Sequence, residues 1–303
     1  MTRTAIASSP AAIGATPAAA RDAADARRVL DANIAVHSRL AAEYNTAEPH
    51  YLPESVARIE SRLRDLASRT TARGLLDLGC GTGFILDIAR RFVPTVHGVD
   101  ATQAMLDRVR RDGPGALQLF CAETGAFEPS PGAYDLVTAH SFLHHLYEIA
   151  PTLRTAFAAL RPGGCFYADL EPNADFWRAV GGLDPEGTHD AALAREIAQV
   201  RAKSDEIERR FGIPGELFDD AEYGKNRRGG FEPRALADAL RQTGFRRIEL
   251  HYHWFIGQSL MINESSLPRP QAVLRAEETA DALRRMLPLS SPLFKYVGFT
   301  AYK

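Results

Sequence analysis

The chain has 303 residues, 45% hydrophobic and 24% charged, with a formal net charge of −2. That is the composition of an ordinary soluble globular protein, and one large α/β domain with insertions is expected. The near-zero charge argues against a general nucleic-acid or membrane-surface footprint, and no apolar run approaches the length of a membrane span.

Residues 1–20 are rich in Ala, Ser, Thr and Pro, with one Arg and no continuous apolar core, so a disordered tail is expected rather than a signal peptide. Residues 21–44 read as a helix with Val29, Leu30, Ile34, His37, Leu40, Ala41 and Tyr44 as its stripe. A loop with Pro49 and Pro53 follows, then a second amphipathic helix marked by Val56, Ile59, Leu63 and Leu66. From residue 74 the pattern alternates strand and helix, the mark of a parallel sheet covered on both faces. Strands are predicted at 74–78, 95–100, 116–121, 134–139, 165–170, 247–255 and 294–302, with Arg161–Gly164 as a helix-to-strand turn. The helix after Pro233 is expected to end at Gly244. Residues 173–230 and 257–290 break the alternation as helical insertions, with helices at Ala191–Arg210 and Ala272–Met286.

Leu75–Gly83, LLDLGCGTG, carries the strongest functional signal. A buried strand holding Asp77 runs into three alternating glycines, which allow positive φ and leave no Cβ to block a ligand. Asp100 ends the next strand, 23 residues beyond Asp77, where a carboxylate can accept from ribose hydroxyls; a helix N-cap is compatible with the same position. A nicotinamide-dinucleotide site is disfavoured, because the glycines are spaced GxGxG and Phe84 fills the last position of the dinucleotide pattern. Cys80, Cys121 and Cys165 are scattered without CxxC spacing, so neither disulfides nor a metal is expected and a reduced, cytoplasmic compartment is the natural reading.

Leu75–Gly83, Val96–Asp100, Tyr134–Val137 and Leu160–Gly164 together resemble the successive motifs of class I S-adenosylmethionine-dependent methyltransferases. Phe142–Leu146 and Leu160–Gly164 are most similar to the small-molecule group that includes quinone-biosynthesis enzymes. The resemblance spans roughly residues 55–172 and resumes at 231–256. It implies a Rossmann-like seven-stranded sheet, mostly parallel with an antiparallel last strand, and S-adenosyl-L-methionine as cofactor. It also implies that Gly79, Cys80, Gly81 and Gly83 pass beside the cofactor, with Asp77 ordering its amino group. Asp100 would hold the ribose, and Ala101 and Met105 would pack near the adenine. Where the family usually places an Asp after the third strand, this chain has Cys121, Ala122 and Glu123, so Glu123 or a backbone group must serve. Tyr44 resembles the aromatic lid residue that precedes the core in small-molecule relatives.

The acceptor side is less legible. The loop after strand four lacks the Asn/Asp-Pro-Pro-aromatic motif of amino-methylating DNA enzymes and the paired glutamates of protein arginine methyltransferases. It also lacks the carboxylates of metal-dependent catechol enzymes, which leaves a small metabolite by elimination. His140, His144 and His145 are candidates for a base or for substrate positioning, with His140 also expected to touch cofactor. Glu171, Trp177, Tyr223 and Arg228 are candidate substrate contacts from the first insertion, and Met261, Leu267 and Leu274 of the second could roof the pocket. His251 and His253 share a strand face, where ordinary packing is the better reading. A monomer or homodimer is expected. A tRNA or other macromolecular acceptor, and a non-catalytic cofactor-binding module, stay open as alternatives.

Overall fold

Seven strands pair into one sheet: Gly74–Leu78 and Tyr134–Ala139 are buried on both faces, whereas Ala116–Cys121 has no buried residue. The computed structural model describes residues 17–47, 51–184 and 186–303. In chain order the elements are α1 (Pro17–Leu40), α2 (Tyr44–Ala47), α3 (Pro53–Thr70), β1 (Gly74–Leu78), α4 (Phe84–Ala89), β2 (Thr95–Asp100), α5 (Gln103–Leu106) and β3 (Ala116–Cys121). They continue with β4 (Tyr134–His140), α6 (Ala150–Ala159), β5 (Leu160–Pro172), α7 (Ala174–Gly181), α8 (Ala191–Phe211), α9 (Gly215–Ala221) and α10 (Tyr223–Asn226). The last are α11 (Pro233–Thr243), β6 (Arg247–Phe255), α12 (Gln258–Asn263), α13 (Arg269–Arg284) and β7 (Phe294–Tyr302). The strand order is β3-β2-β1-β4-β5-β7-β6, with β7 antiparallel to both its neighbours. This is the Rossmann-like arrangement that the resemblance implied.

Two apolar cores cover the sheet. One joins Leu76, Val137, Phe166 and Phe299 to α6, α11 and α13; the other joins Leu75, Val96 and Leu136 to α3 and α4. In α3, Ile59, Leu63 and Leu66 recur at helical spacing and are fully buried, Pro53 suits the first turn, and Thr71 closes the C-terminus in the left-handed region. Gly244 caps α11 at φ +118°, as expected.

Several boundaries differ from expectation. α1 already begins at Pro17, within the expected tail, and stops at Leu40; Tyr44 opens a separate helix. Residues 1–16 and Pro49 lie outside the described residues. α4 ends at Ala89, and the buried Arg90 guanidinium then binds the carbonyls of Arg110, Arg111 and Pro114. Arg161–Gly164 belongs to an irregular start of β5, where Tyr134 pairs with Leu160 but Leu136 pairs with Cys165. β5 continues to Pro172 through a bulge: Ala168 pairs with Phe299 and Glu171 with Val297, and Leu170 takes φ +58°.

The first insertion builds a platform behind the sheet's carboxyl edge. Ala32 and Val36 of α1 pack on Ile213, Phe218 and Ala221, and Asp220 holds Arg28 and Arg227. No helix among the described residues is long and apolar enough to cross a membrane.

Candidate active site

β1 delivers the chain into the glycine turn. Gly79, Gly81 and Gly83 take φ of +72°, +51° and +91°, the region that disfavours side chains. The N–H groups of Gly79 and Cys80 donate to the Val99 carbonyl at 2.8 and 3.0 Å, tying the turn to β2. A Cβ on Gly79 would lie 2.0 Å from the Phe142 ring, so only glycine lets the turn approach the loop after β4.

Beside this turn opens a cavity of about 360 Å³. Its lining includes Asp77, Gly79, Cys80, Gly81 and Thr82, then Asp100, Ala101 and Met105 after β2, Glu123 after β3, and His140, Ser141 and Phe142 after β4. α1 contributes a stripe, Asp22, Ala26, Val29, Leu30, Asn33 and His37, followed by Tyr44 and Tyr51. Thr82 ties this cover to the turn: its hydroxyl donates to Asn45 Oδ1 at 2.5 Å, so Tyr51 Oη must donate to Thr82 at 2.6 Å.

Two carboxylates dominate the electrostatics. Asp100 accepts from the N–H of Gly81 (2.9 Å) and of Thr102 (2.8 Å), yet burial still raises its pKa. Asp77 accepts from Thr138 Oγ1 at 2.7 Å, but burial outweighs that bond and, with the Asp100 charge adding, pushes its pKa up to about 8. An acid raised in the folded state stabilises the fold fully below its unfolded value of 3.8, and that contribution fades as pH rises through about 8. The free protein is therefore expected to lose stability across this window. Asp77→Asn should flatten the loss in thermal melts taken from pH 4 to 8; an unchanged slope would show that Asp77 does not titrate there.

The loop after β4 is held from behind. Glu171 is fully buried and accepts from the N–H groups of Phe142 (3.0 Å), Leu143 (2.8 Å) and His144 (3.0 Å), and from His144 Nδ1 (2.8 Å). His145 donates through Nδ1 to the Ala221 carbonyl at 2.7 Å and meets the His37 ring edge-on at 4.8 Å. Burial, then the neighbouring His144 and His37, hold the His145 pKa well below the usual imidazole range. Asn33 Nδ2 donates to the His145 carbonyl at 2.8 Å, joining α1 to the loop. At the end of β4, the His140 ring lies 5.0 Å from that of Phe84.

Of the residues singled out from sequence, the cavity brings together Tyr44, Asp77, Gly79, Cys80, Gly81, Asp100, Ala101, Met105, Glu123, His140 and His145. Gly83 stands off the wall as the α4 cap, where a Cβ would meet Val109. Cys121 is exposed with its thiol towards the Ala101 carbonyl, and Ala122 packs on the core. His144 faces Glu171 and Glu222 rather than the cavity.

None of the four proposed substrate contacts lines this cavity. Glu171 is consumed by the loop above it. Trp177 packs beside Phe176, 5.6 Å between rings, in the α7–α8 cluster. Tyr223 stacks on Tyr147, and Arg228 lies over both rings, so its cation is engaged by aromatic faces. The second insertion does not roof the cavity either: Met261 packs on the sheet core, while Leu267 and Leu274 are exposed. His253 pairs with Asp169 at 3.0 Å and His251 accepts from Arg62 at 2.9 Å, which accounts for both by packing.

The sequence reading missed His37, Tyr51 and Asn33 as cavity residues. The available signal was the polar character of Asn33 and His37 on the apolar stripe of α1. Among the described residues, His144, His145 and Glu222 bring one potential metal-ligand atom each within 4.8 Å of one another. Two of the three are already paired, His144 with Glu171 and Glu222 with the Lys225 ammonium.

A family model described as a methyltransferase domain matches residues 76–166. A ubiquinone biosynthesis O-methyltransferase of Thiobacillus denitrificans is 27% identical over 197 residues, covering 58% of this chain and 84% of that protein. The enzyme of the same name from Sodalis glossinidius is 31% identical over 130 residues, covering 39% and 52%. Among solved structures, an S-adenosylmethionine-dependent methyltransferase from Mesorhizobium loti is 20% identical, with a TM-score of 0.47 over 80% of this chain and 96% of that one.

Proposed function

We propose that this chain, a class I S-adenosylmethionine-dependent methyltransferase, methylates a small molecule in the cavity between the glycine turn, the histidine loop and α1. The observation that carries this reading is the placement of two carboxylates, the buried Asp77 and the half-buried Asp100, on the wall of one cavity closed by α1. A ligand with an ammonium, a sulfonium and a ribose diol supplies the positive charge and donors that these groups call for. In this reading Asp77 holds the amino group, Asp100 the ribose hydroxyls, Ala101 and Met105 the adenine face, and Glu123 the adenine amino group. Tyr44 and Tyr51 cover the ligand. Residues 21–303 form one methyltransferase domain, with α1–α3 as its lid.

The cofactor supplies an electrophilic methyl carbon on a good leaving group. The protein's part is to hold the acceptor in line with that carbon and keep water out, and orientation of this kind is worth about 7–11 kcal/mol. α1 does the closing, with Ala26, Val29 and Leu30 offering an apolar wall. The names of the curated relatives, enzymes of ubiquinone biosynthesis, support a small acceptor. Three free cysteines accord with a reducing, cytoplasmic compartment.

The test is methyl transfer from labelled S-adenosylmethionine into a metabolite extract and into bulk RNA, each with the full chain. Label in a small-molecule fraction is expected. Label confined to RNA overturns the acceptor class, and cofactor binding without transfer to either points to a binding module.

A further inference from the structure

We propose that the chain carries a second ligand site, separate from the methyl-transfer cavity. It is a pocket at the open edge of the sheet that binds a small organic oxyanion, a carboxylate or a phosphate, through Arg62 and Arg284.

β6 is the last strand of the sheet. Residues of α3, β5, β6 and α13 enclose a cavity of about 390 Å³ there, and it shares no lining residue with the first. Arg58 and Arg62, one turn apart on α3, and Arg284 at the end of α13 stand on its wall. Their side chains are only 29%, 23% and 30% exposed, so part of each charge has left water. A cation in that position attracts an anion more strongly than one in bulk solvent. Among the described residues the wall holds one carboxylate, the exposed Glu277.

The donors are held in place and not all are used. A guanidinium carries five N–H donors and no acceptor. Arg62 gives Nη2 to His251 Nε2 (2.9 Å) and to Thr300 Oγ1 (2.8 Å), and Nη1 to Asp65 (3.3 Å). Arg284 gives Nε to the Tyr252 carbonyl (3.1 Å) and Nη1 to Asp281 (2.6 Å). The Nε hydrogen of Arg62 and both Nη2 hydrogens of Arg284 have no acceptor among the described residues. Asp65 and Asp281 do not line the cavity, and solvent-facing pairs of this kind bind weakly. Arg58 differs, because the buried Asp169 takes its Nη1 at 2.6 Å and pairs with His253 as well. Since Arg62 only donates, His251 Nε2 accepts and the ring carries its hydrogen on Nδ1, a further donor. Burial, then the Arg62 and His253 charges, push the His251 pKa down to about 4, which is what a cationic neighbourhood does.

These features select the ligand. A cation would meet three guanidinium groups. A metal ion would find the Nε2 of both imidazoles engaged, one by Arg62 and the other by Asp169. A carboxylate or phosphate instead offers two oxygens to the fork of an arginine. Leu250, Leu287 and Tyr167 line the cavity too and give the body of the ligand an apolar surface.

The test uses the full chain saturated with S-adenosylhomocysteine, so that the first cavity is filled. Phenyl phosphate and benzoate are the probes, and benzyl alcohol is the uncharged control. Calorimetric titration should give a Kd of about 1 mM or tighter for at least one anion and no measurable binding of the alcohol; the tighter anion names the head group. Binding of neither anion, or equal binding of the alcohol, overturns the proposal. Arg62→Gln and Arg284→Gln should each weaken the anion about tenfold, one charge-assisted bond's share, with S-adenosylhomocysteine affinity at its wild-type value. Anion affinity unchanged in both variants places the ligand elsewhere and overturns the site. In the unmodified protein, the imidazole NMR signals of His251 and His253 should move on titration with the anion while those of His37 and His145 stay in place. The reverse pattern overturns the assignment without any variant.

Discussion

Glu171→Ala is expected to destabilise the protein by about 3–5 kcal/mol, the cost of removing one side of a buried charged interaction, and to abolish most methyl transfer. The carboxylate is fully buried and gathers four donors, three of them successive backbone N–H groups of the loop after β4. Alanine leaves all four without an acceptor in a place water does not reach. The loop also carries Phe142, whose ring lies against Gly79, and His145, so its collapse reaches the cavity from two directions. Glu171→Gln should fall in between, because its carbonyl oxygen still accepts while its amide nitrogen meets a donor. Urea unfolding followed by fluorescence measures the loss; a change under about 1 kcal/mol for alanine would mean that the loop finds other acceptors.

The same residue shows where sequence reasoning stops. Glu171 follows a strand at the sheet's carboxyl edge, which made it a natural substrate contact. The bulge at Leu170, with φ +58° on a side chain that disfavours it, seats Glu171 where it meets the loop after β4 instead. Nothing in a single sequence marks a one-residue register shift. The glycine turn was legible for the opposite reason: its φ values and close approaches admit one residue type, so the physics is written in the residues themselves. The α1 stripe lies between. Its period was readable, but the partner of its polar members was not, since Asn33 and His145 meet across 112 residues of chain. From sequence the first insertion reads as a source of substrate contacts. It acts on the site from behind, through the Ala221 carbonyl on His145 and the tight approach of Gly224 to the His144 backbone, where a Cβ would come within 2.8 Å.

Asp100→Ala is expected to weaken S-adenosylhomocysteine binding at least about 100-fold, or ~2.7 kcal/mol, while changing stability little. The two effects separate because Asp100 has opposite consequences with and without ligand. In the free protein the carboxylate is half-buried, and burial raises its pKa, so its charge is costly. Two backbone donors, Gly81 and Thr102, offset part of that cost, and alanine forfeits both the cost and the bonds. With ligand present, the same oxygens are placed to accept from a ribose diol, and each hydrogen bond to a charged acceptor is worth about 1.5–3 kcal/mol. Asp100→Asn keeps one accepting oxygen and should lose roughly tenfold, a single bond's share. Calorimetric titration of folded variants decides the matter. Wild-type affinity in Asp100→Ala would place the ribose elsewhere and leave the carboxylate as a cap for the turn. A graded loss, alanine beyond asparagine with melting temperatures nearly equal, would identify Asp100 as a residue retained for its ligand.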